Sequence, residues 1–230
     1  KFHNKKIKET TMNAFIDFIM GPMVWISALV FLFGLVFKLV RIIQEIREKE
    51  PFIFSYISLK YSLRSIGAWL IPFYPESTKK QPVFWGISYL FHLCLFAAPL
   101  FLASHIVLLD EAFQISWPAL SDGVADILTV FVILALVFFG VRRVVVPEVR
   151  FLTSAMDYVL LIIVMLPFLT GFLAYHQLVL YKWMTIAHIV SGELMLIVIP
   201  FSRFSHMLTA PLTRAYTGSE FGNVRHARDW

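Results

Sequence analysis

Cysteine is nearly missing from this sequence: Cys94 stands alone among 230 residues. A single thiol excludes a disulfide framework, an iron–sulfur site made of cysteines alone and a C-x-x-C-H haem attachment. Any haem is therefore held without a covalent bond, and Cys94 is expected to be a small apolar residue of a membrane span. Charge is scarce as well, at 15% of residues against 59% hydrophobic ones, and mean hydropathy is +0.75. A chain of this makeup cannot cover itself with a water-facing surface, so a soluble domain is excluded and an integral membrane protein is expected. Also absent are the two-residue alternation of a barrel, internal repeats and low-complexity segments. No nucleic-acid partner is expected.

What is present is a set of long apolar runs. Backbone polar groups in lipid must be satisfied within their own segment, so runs of about 20 apolar residues read as helices. Five are expected, at roughly Phe15 to Val40, Val83 to Leu109, Gly123 to Val141, Leu152 to His176 and Trp183 to Met207. The fold class is thus all-α, with a five-helix membrane domain over residues 14–212, an extension at 1–13 and a tail at 213–230. Basic residues sort the loops: eight lie between Lys38 and Lys80, three between Arg142 and Arg150, and four from Arg203 onward. The loop around Asp110 and Glu111 has none. Short loops rich in Lys and Arg stay in the cytoplasm, which puts the N-terminus outside and the C-terminus inside. The cluster Lys1, Lys5, Lys6 and Lys8 runs against that assignment. No cleavable signal pattern precedes the first span, and with Lys1 at the first position the natural start is open.

Gly21 and Pro22 interrupt the first span near one end, and Lys38 and Arg41 at its other end are placed to snorkel to headgroups. The segment 52–74, FIFSYISLKYSLRSIGAWLIPFY, is too polar to span and too apolar for a free linker. It reads as an interfacial helix on the cytoplasmic surface, either a plain aromatic belt or a platform for a partner. Ser121 is a plausible N-cap of the third span, with Asp122 and Asp126 one turn apart behind it, as dipole partners or for proton exchange. Asp157 opens the fourth span, which Pro167 and Gly171 interrupt.

The histidines carry the chemistry. The fifth run, HIVSGELMLIVIPFSRFSH, has His188 and His206 at its ends, roughly 27 Å and five turns apart on a continuous helix, hence on one face. The second span holds His92 and His105. With the topology from the charges, the four sort by depth into an outer pair, His105 with His188, and an inner pair, His92 with His206. Two imidazoles at matched depth on facing helices suit the two axial positions of a haem iron, and Ala98, Ala103, Ser104, Ser191 and Gly192 give room for the macrocycle. Two b-type haems are expected. The 13 residues from His92 to His105 turn a regular helix about 140° off one face, so a kink or widening at Pro99 is needed. His176 is a further candidate, as an alternative ligand, a partner for a quinone carbonyl, or an interfacial histidine without chemistry. Glu193 is an acid deep in a span, there for a structural hydrogen bond or for proton transfer. Arg203 is placed to meet a haem propionate or a phospholipid. His3 and His226 fall outside the spans.

The motifs LFH and the later His105 of the second span, Asp157 opening the fourth, and above all His188 through PFSR to His206 resemble the membrane cytochrome b, or gamma, subunit of respiratory nitrate reductase. The resemblance covers roughly residues 14–212. It implies that His92, His105, His188 and His206 bind two b haems, with His105 about one turn later than the family pattern. GPMVWIS, YSLRS, HxVSGEL and the tail RAYTGSEFGNVRHARDW are similar to a branch found in transmembrane redox complexes of sulfate-reducing bacteria. That likeness implies menaquinone, periplasmic multihaem cytochrome c and cytoplasmic iron–sulfur subunits as partners, and a multi-pass place in the bacterial inner membrane. The expectation is an electron-transfer subunit rather than a stand-alone enzyme. A non-redox anchor or proton-coupled transporter with a histidine relay is the alternative.

Overall fold

The computed structural model describes residues 13–230; Lys1, His3, Lys5, Lys6 and Lys8 lie outside the described residues. All regular structure among the described residues is helical. Five helices are long and apolar enough to cross a membrane: Asn13–Lys49, Pro82–Phe101, Asp122–Val145, Ala155–Tyr175 and Tyr181–Phe201.

In chain order, α1 is Asn13–Lys49, widened to a π turn over Ile19–Met23 around Pro22. A proline withholds one helical N–H, and a π turn absorbs the mismatch without ending the helix. The helix runs nine residues past the apolar stretch expected from sequence. Next come α2 (Ile53–Tyr56), α3 (Leu59–Leu70), α4 (Glu76–Lys79) and α5 (Pro82–Phe101). The second apolar run is not one helix. It stops at Leu102, which is extended at φ −71° and ψ 130°, and resumes as α6 (Ala103–Phe113), so His92 and His105 stand on different helices. Then follow α7 (Asp122–Val145), α8 (Pro147–Leu152), α9 (Ala155–Tyr175) and α10 (Tyr181–Val198). The fifth run is broken too. Single 3₁₀ turns at Ile199–Phe201 and Arg203–Ser205 flank an extended Ser202, and α11 (His206–Ser219) starts at the histidine itself. The five in-phase turns expected between His188 and His206 therefore do not exist.

The chain divides into two compact units, one of residues 13–24 and Ile87–Met195, the other of Trp25–Gly86 and Leu196–Trp230. In the first, α7 packs along α9 over Val132, Ala135, Leu136, Leu160 and Val164. Phe91 meets Phe139 edge to face at 5.3 Å, and Cys94 is buried, as expected of a small apolar residue. Asp157 closes a capping box with Ser154 at the start of α9 and lies 4.0 Å from the Arg143 guanidinium, so this buried acid is matched by two hydrogen-bond donors and a nearby cation. Ser121 takes the N-cap position of α7, but its side chain makes no capping bond.

In the second unit α3 lies against α11 through small residues. Ser62 Oγ donates to Ala215 O at 3.1 Å and meets Ser219 Oγ at 3.0 Å. A methyl on Gly218 would sit 2.4 Å from Ser65 Cβ and 2.6 Å from Tyr61 O. The last residues fold back onto this seam: Asp229 accepts from Ser65 Oγ, and Trp230 lies over the Arg64 guanidinium. The far side of α3 leaves Leu59, Leu63 and Leu70 exposed at 74%, 58% and 71%. Gly218→Val is expected to destabilise the second unit by about 1–3 kcal/mol through overpacking. Faster proteolysis within residues 206–230 of the purified protein checks this.

Candidate functional site

Four of the expected ligand histidines share one feature. Each uses Nδ1 to donate to a backbone carbonyl: His92 to Ser88 O at 2.7 Å, His105 to Pro99 O at 2.9 Å, His188 to Pro167 O at 2.8 Å and His206 to Arg203 O at 3.0 Å. A carbonyl can only accept, so Nδ1 carries the hydrogen and the neutral ring keeps its lone pair on Nε2. This is how metal-ligating histidines are usually held, with the outer bond fixing both tautomer and ring direction.

The structure brings His105 and His188 together within the first unit. Their ring centres lie 5.9 Å apart and their planes differ by 4°. The break at Leu102 makes this possible. A helix continued through 102 would satisfy the carbonyls of Pro99, Leu100 and Phe101 with the N–H groups four residues on. Instead Pro99 O takes the His105 ring, Leu100 O takes Trp117 Nε1 at 2.8 Å and Phe101 O takes Leu120 N at 2.9 Å. The realignment expected at Pro99 is thus a full stop three residues later rather than a kink.

His188 is seated by α9. Pro167 supplies the carbonyl, and Gly171, one turn on, supplies the space: a methyl there would lie 2.8 Å from His188 Nδ1 and 2.9 Å from Cε1. Both residues read from sequence as interruptions of a span. Their shared purpose, letting an imidazole reach the helix backbone, shows only in three dimensions.

His92 belongs to the first unit and His206 to the second. His92 has the Phe91 ring edge-on at 5.2 Å. Beside His206, the second break is held by α1. Lys38 Nζ donates to Ser205 Oγ at 2.6 Å and lies 3.5 Å from Pro200 O, so Lys38 does not snorkel outward as expected. A methyl on Gly34, one turn earlier, would meet Pro200 Cγ at 2.6 Å, which is why the two segments touch so closely. Arg203 opens the 3₁₀ turn just before His206.

His176, at the end of α9, is differently placed. Its Nε2 lies 2.9 Å from Asp126 Oδ1, while Tyr175 donates to Asp122. The two acids read as helix-dipole partners are therefore also side-chain partners of α9. Glu193 is 6% exposed on α10, and its Oε1 has no hydrogen-bond partner among the described residues.

No group of three or more His, Cys, Asp or Glu side chains fit for a bare metal ion occurs among the described residues. The question is then whether the pair suits an iron that brings its own equatorial ligands. Two iron–nitrogen bonds of about 2 Å, with about 1 Å from each nitrogen to its ring centre, place axial imidazole centres roughly 6 Å apart. The His105–His188 spacing, the Nε2 atoms left over by the two Nδ1 bonds and the room that Gly171 leaves beside His188 fit haem.

A protein of Nitratidesulfovibrio vulgaris (strain Hildenborough) is 40% identical over 213 residues, covering 90% of this chain and 94% of that protein. The chain belongs to the same family as that protein. The relative's name, "Protein", states no ligand or activity. No family model and no solved structure matches the chain. Gly171→Val is expected to push His188 off the Pro167 carbonyl and to destabilise the first unit by about 1–3 kcal/mol through overpacking, read as a lower melting temperature of the purified chain.

Proposed function

We propose that the chain is the dihaem b membrane subunit of a respiratory redox complex, moving electrons across the membrane between a quinone pool, or a periplasmic cytochrome c, and cytoplasmic iron–sulfur subunits. The observation that carries this reading is the common tautomer of the four histidines, with His105 and His188 parallel at 5.9 Å. His105 and His188 would hold an outer haem and His92 and His206 an inner one, with Arg203 near a propionate of the latter. Bound haem supplies one-electron transfer at a potential that its ligands and surroundings tune.

The chain's residues do the rest. The carbonyls of Ser88, Pro99, Pro167 and Arg203 hold each ring's Nδ1–H and raise the donor strength of Nε2. Glu193 is suited to holding a proton at its buried carboxyl, because an unpaired acid in a span is costly when charged. His176, whose Nε2–H Asp126 engages, has Nδ1 left to accept a proton from a quinol, and that engagement favours the proton role over an axial one. Menaquinone is the expected quinone, with its site at the outer haem.

The distribution of Lys and Arg supports an N-terminus outside and a C-terminus in the cytoplasm. The exposed leucine stripe of α3, with Lys60 beside it, supports an interfacial position for that helix on the cytoplasmic face. The resemblance to nitrate reductase gamma subunits and to subunits of sulfate-reducer complexes supports the bacterial inner membrane and the named partners.

Pyridine haemochrome analysis of the purified chain is expected to give two b haems, and His206→Ala one. A protein without a reduced-minus-oxidised haem spectrum would overturn this reading and favour a histidine relay for protons. Were His105 and His188 to hold that haem, their near-parallel rings would separate in energy the iron d orbitals that share π electrons with them. The outer haem should therefore give a rhombic low-spin signal in electron paramagnetic resonance rather than a highly anisotropic one.

A further inference from the structure

The two helix breaks are built alike. PLFLASH at 99–105 and PFSRFSH at 200–206 share a proline, then four residues, then Ser-His. In each the helix gives out within three residues of the proline, at an extended Leu102 or Ser202. In each the histidine lies in the first turn of the helix that follows, third in α6 and first in α11. This spacing of seven residues is too short to register as a structural repeat.

A break in a span exposes carbonyls where lipid offers no donor. In both cases a side chain from another element covers them. Trp117, in the loop between α6 and α7, donates Nε1–H to Leu100 O at 2.8 Å. Lys38, on α1, lies 3.5 Å from Pro200 O and donates to Ser205 Oγ at 2.6 Å, and that hydroxyl in turn donates to Ser202 O at 2.8 Å. One donor is a neutral indole and the other an ammonium. What they share is that each reaches a carbonyl released at its break, the one a residue after the proline in the first and that of the proline itself in the second.

We infer that Trp117 and Lys38 are positioning residues, each clamping one of two matched Pro-x4-Ser-His breaks and so setting the direction of one haem ligand, His105 or His206. The inference rests on the proposed haem ligation. Trp117 acts through the same run of carbonyls that holds His105 Nδ1, so loss of its N–H lets the break move and the ring with it. Lys38 acts through Ser205, the residue before His206. Its charge also favours the reduced, less positive state of a nearby redox centre, so its removal lowers that centre's potential.

The test is a redox titration followed by visible spectra and electron paramagnetic resonance on the full chain in detergent, with Trp117→Phe, Lys38→Met and Lys38→Arg beside the wild type. Trp117→Phe is expected to shift or abolish one of the two haem transitions and to turn the rhombic signal highly anisotropic as the rings leave parallel. Lys38→Met is expected to shift the other transition to lower potential or remove it, and Lys38→Arg to restore it. The unaffected haem in each variant reports that the chain is folded.

A wild type with two haems whose variants leave both transitions in place, or move both together, overturns this inference and leaves the proposed function standing. A colourless wild type overturns both. Should Trp117→Phe fail to accumulate, Trp117→Gln keeps an N–H donor and is expected to retain both transitions; Lys38→Met without rescue by Lys38→Arg then overturns the clamp.

Discussion

A backbone carbonyl left bare in hydrocarbon costs several kcal/mol, and the candidate site exists because this chain bares some deliberately and covers each one. The stop at Leu102 releases the carbonyls of Pro99, Leu100 and Phe101, and an imidazole, an indole and a backbone N–H take them in turn. The stop at Ser202 releases a second group, covered by Lys38 and by local serine bonds. Uninterrupted helices would have needed no such donors. They would also have left His105 on the wrong side of the second span.

Close approach is the companion device. Gly171 lets His188 reach the backbone of α9, Gly34 lets α1 touch Pro200, and Gly218 lets α11 lie on α3. In lipid there is little hydrophobic gain from bringing helices together, so small residues that admit backbone contact and hydrogen bonds have to hold them. The seam between α3 and α11 uses the same close approach outside the five spans, and that between α9 and His188 uses it within them. In the first, serine hydroxyls bridge the helices; in the second, a ring nitrogen does.

The spans were legible in the sequence because length and apolarity in lipid leave a chain few options, and all five lie where the apolar runs are. His92 and His188 were legible because ionisable groups in spans are rare, and His105 and His206 because each lies a few residues past a span's end. The breaks were not, since Leu102 sits in an unbroken apolar stretch and the bend appears only when Pro99, Trp117 and Leu120 are taken together. Lys38 was misplaced for a related reason: a cation near the end of an apolar run reads as a headgroup anchor unless its hydrogen-bond acceptors can be seen. Asp126 and His176 are 50 residues apart, and the antiparallel packing of α7 and α9 joins them. The short Pro-x4-Ser-His repeat was in plain view, but its meaning depends on where the helices stop.

Loops between spans are ordinarily where insertions and exchanges do least harm. The stretch 114–121 is an exception. Through Trp117, 17 residues downstream of Leu100, it shares hydrogen bonds with the carbonyl run that directs the His105 imidazole, so it belongs to that ring's frame as much as the span does. Grafting this loop between relatives, or lengthening it by a residue, would redirect the His105 ring without altering a single residue of the membrane helices.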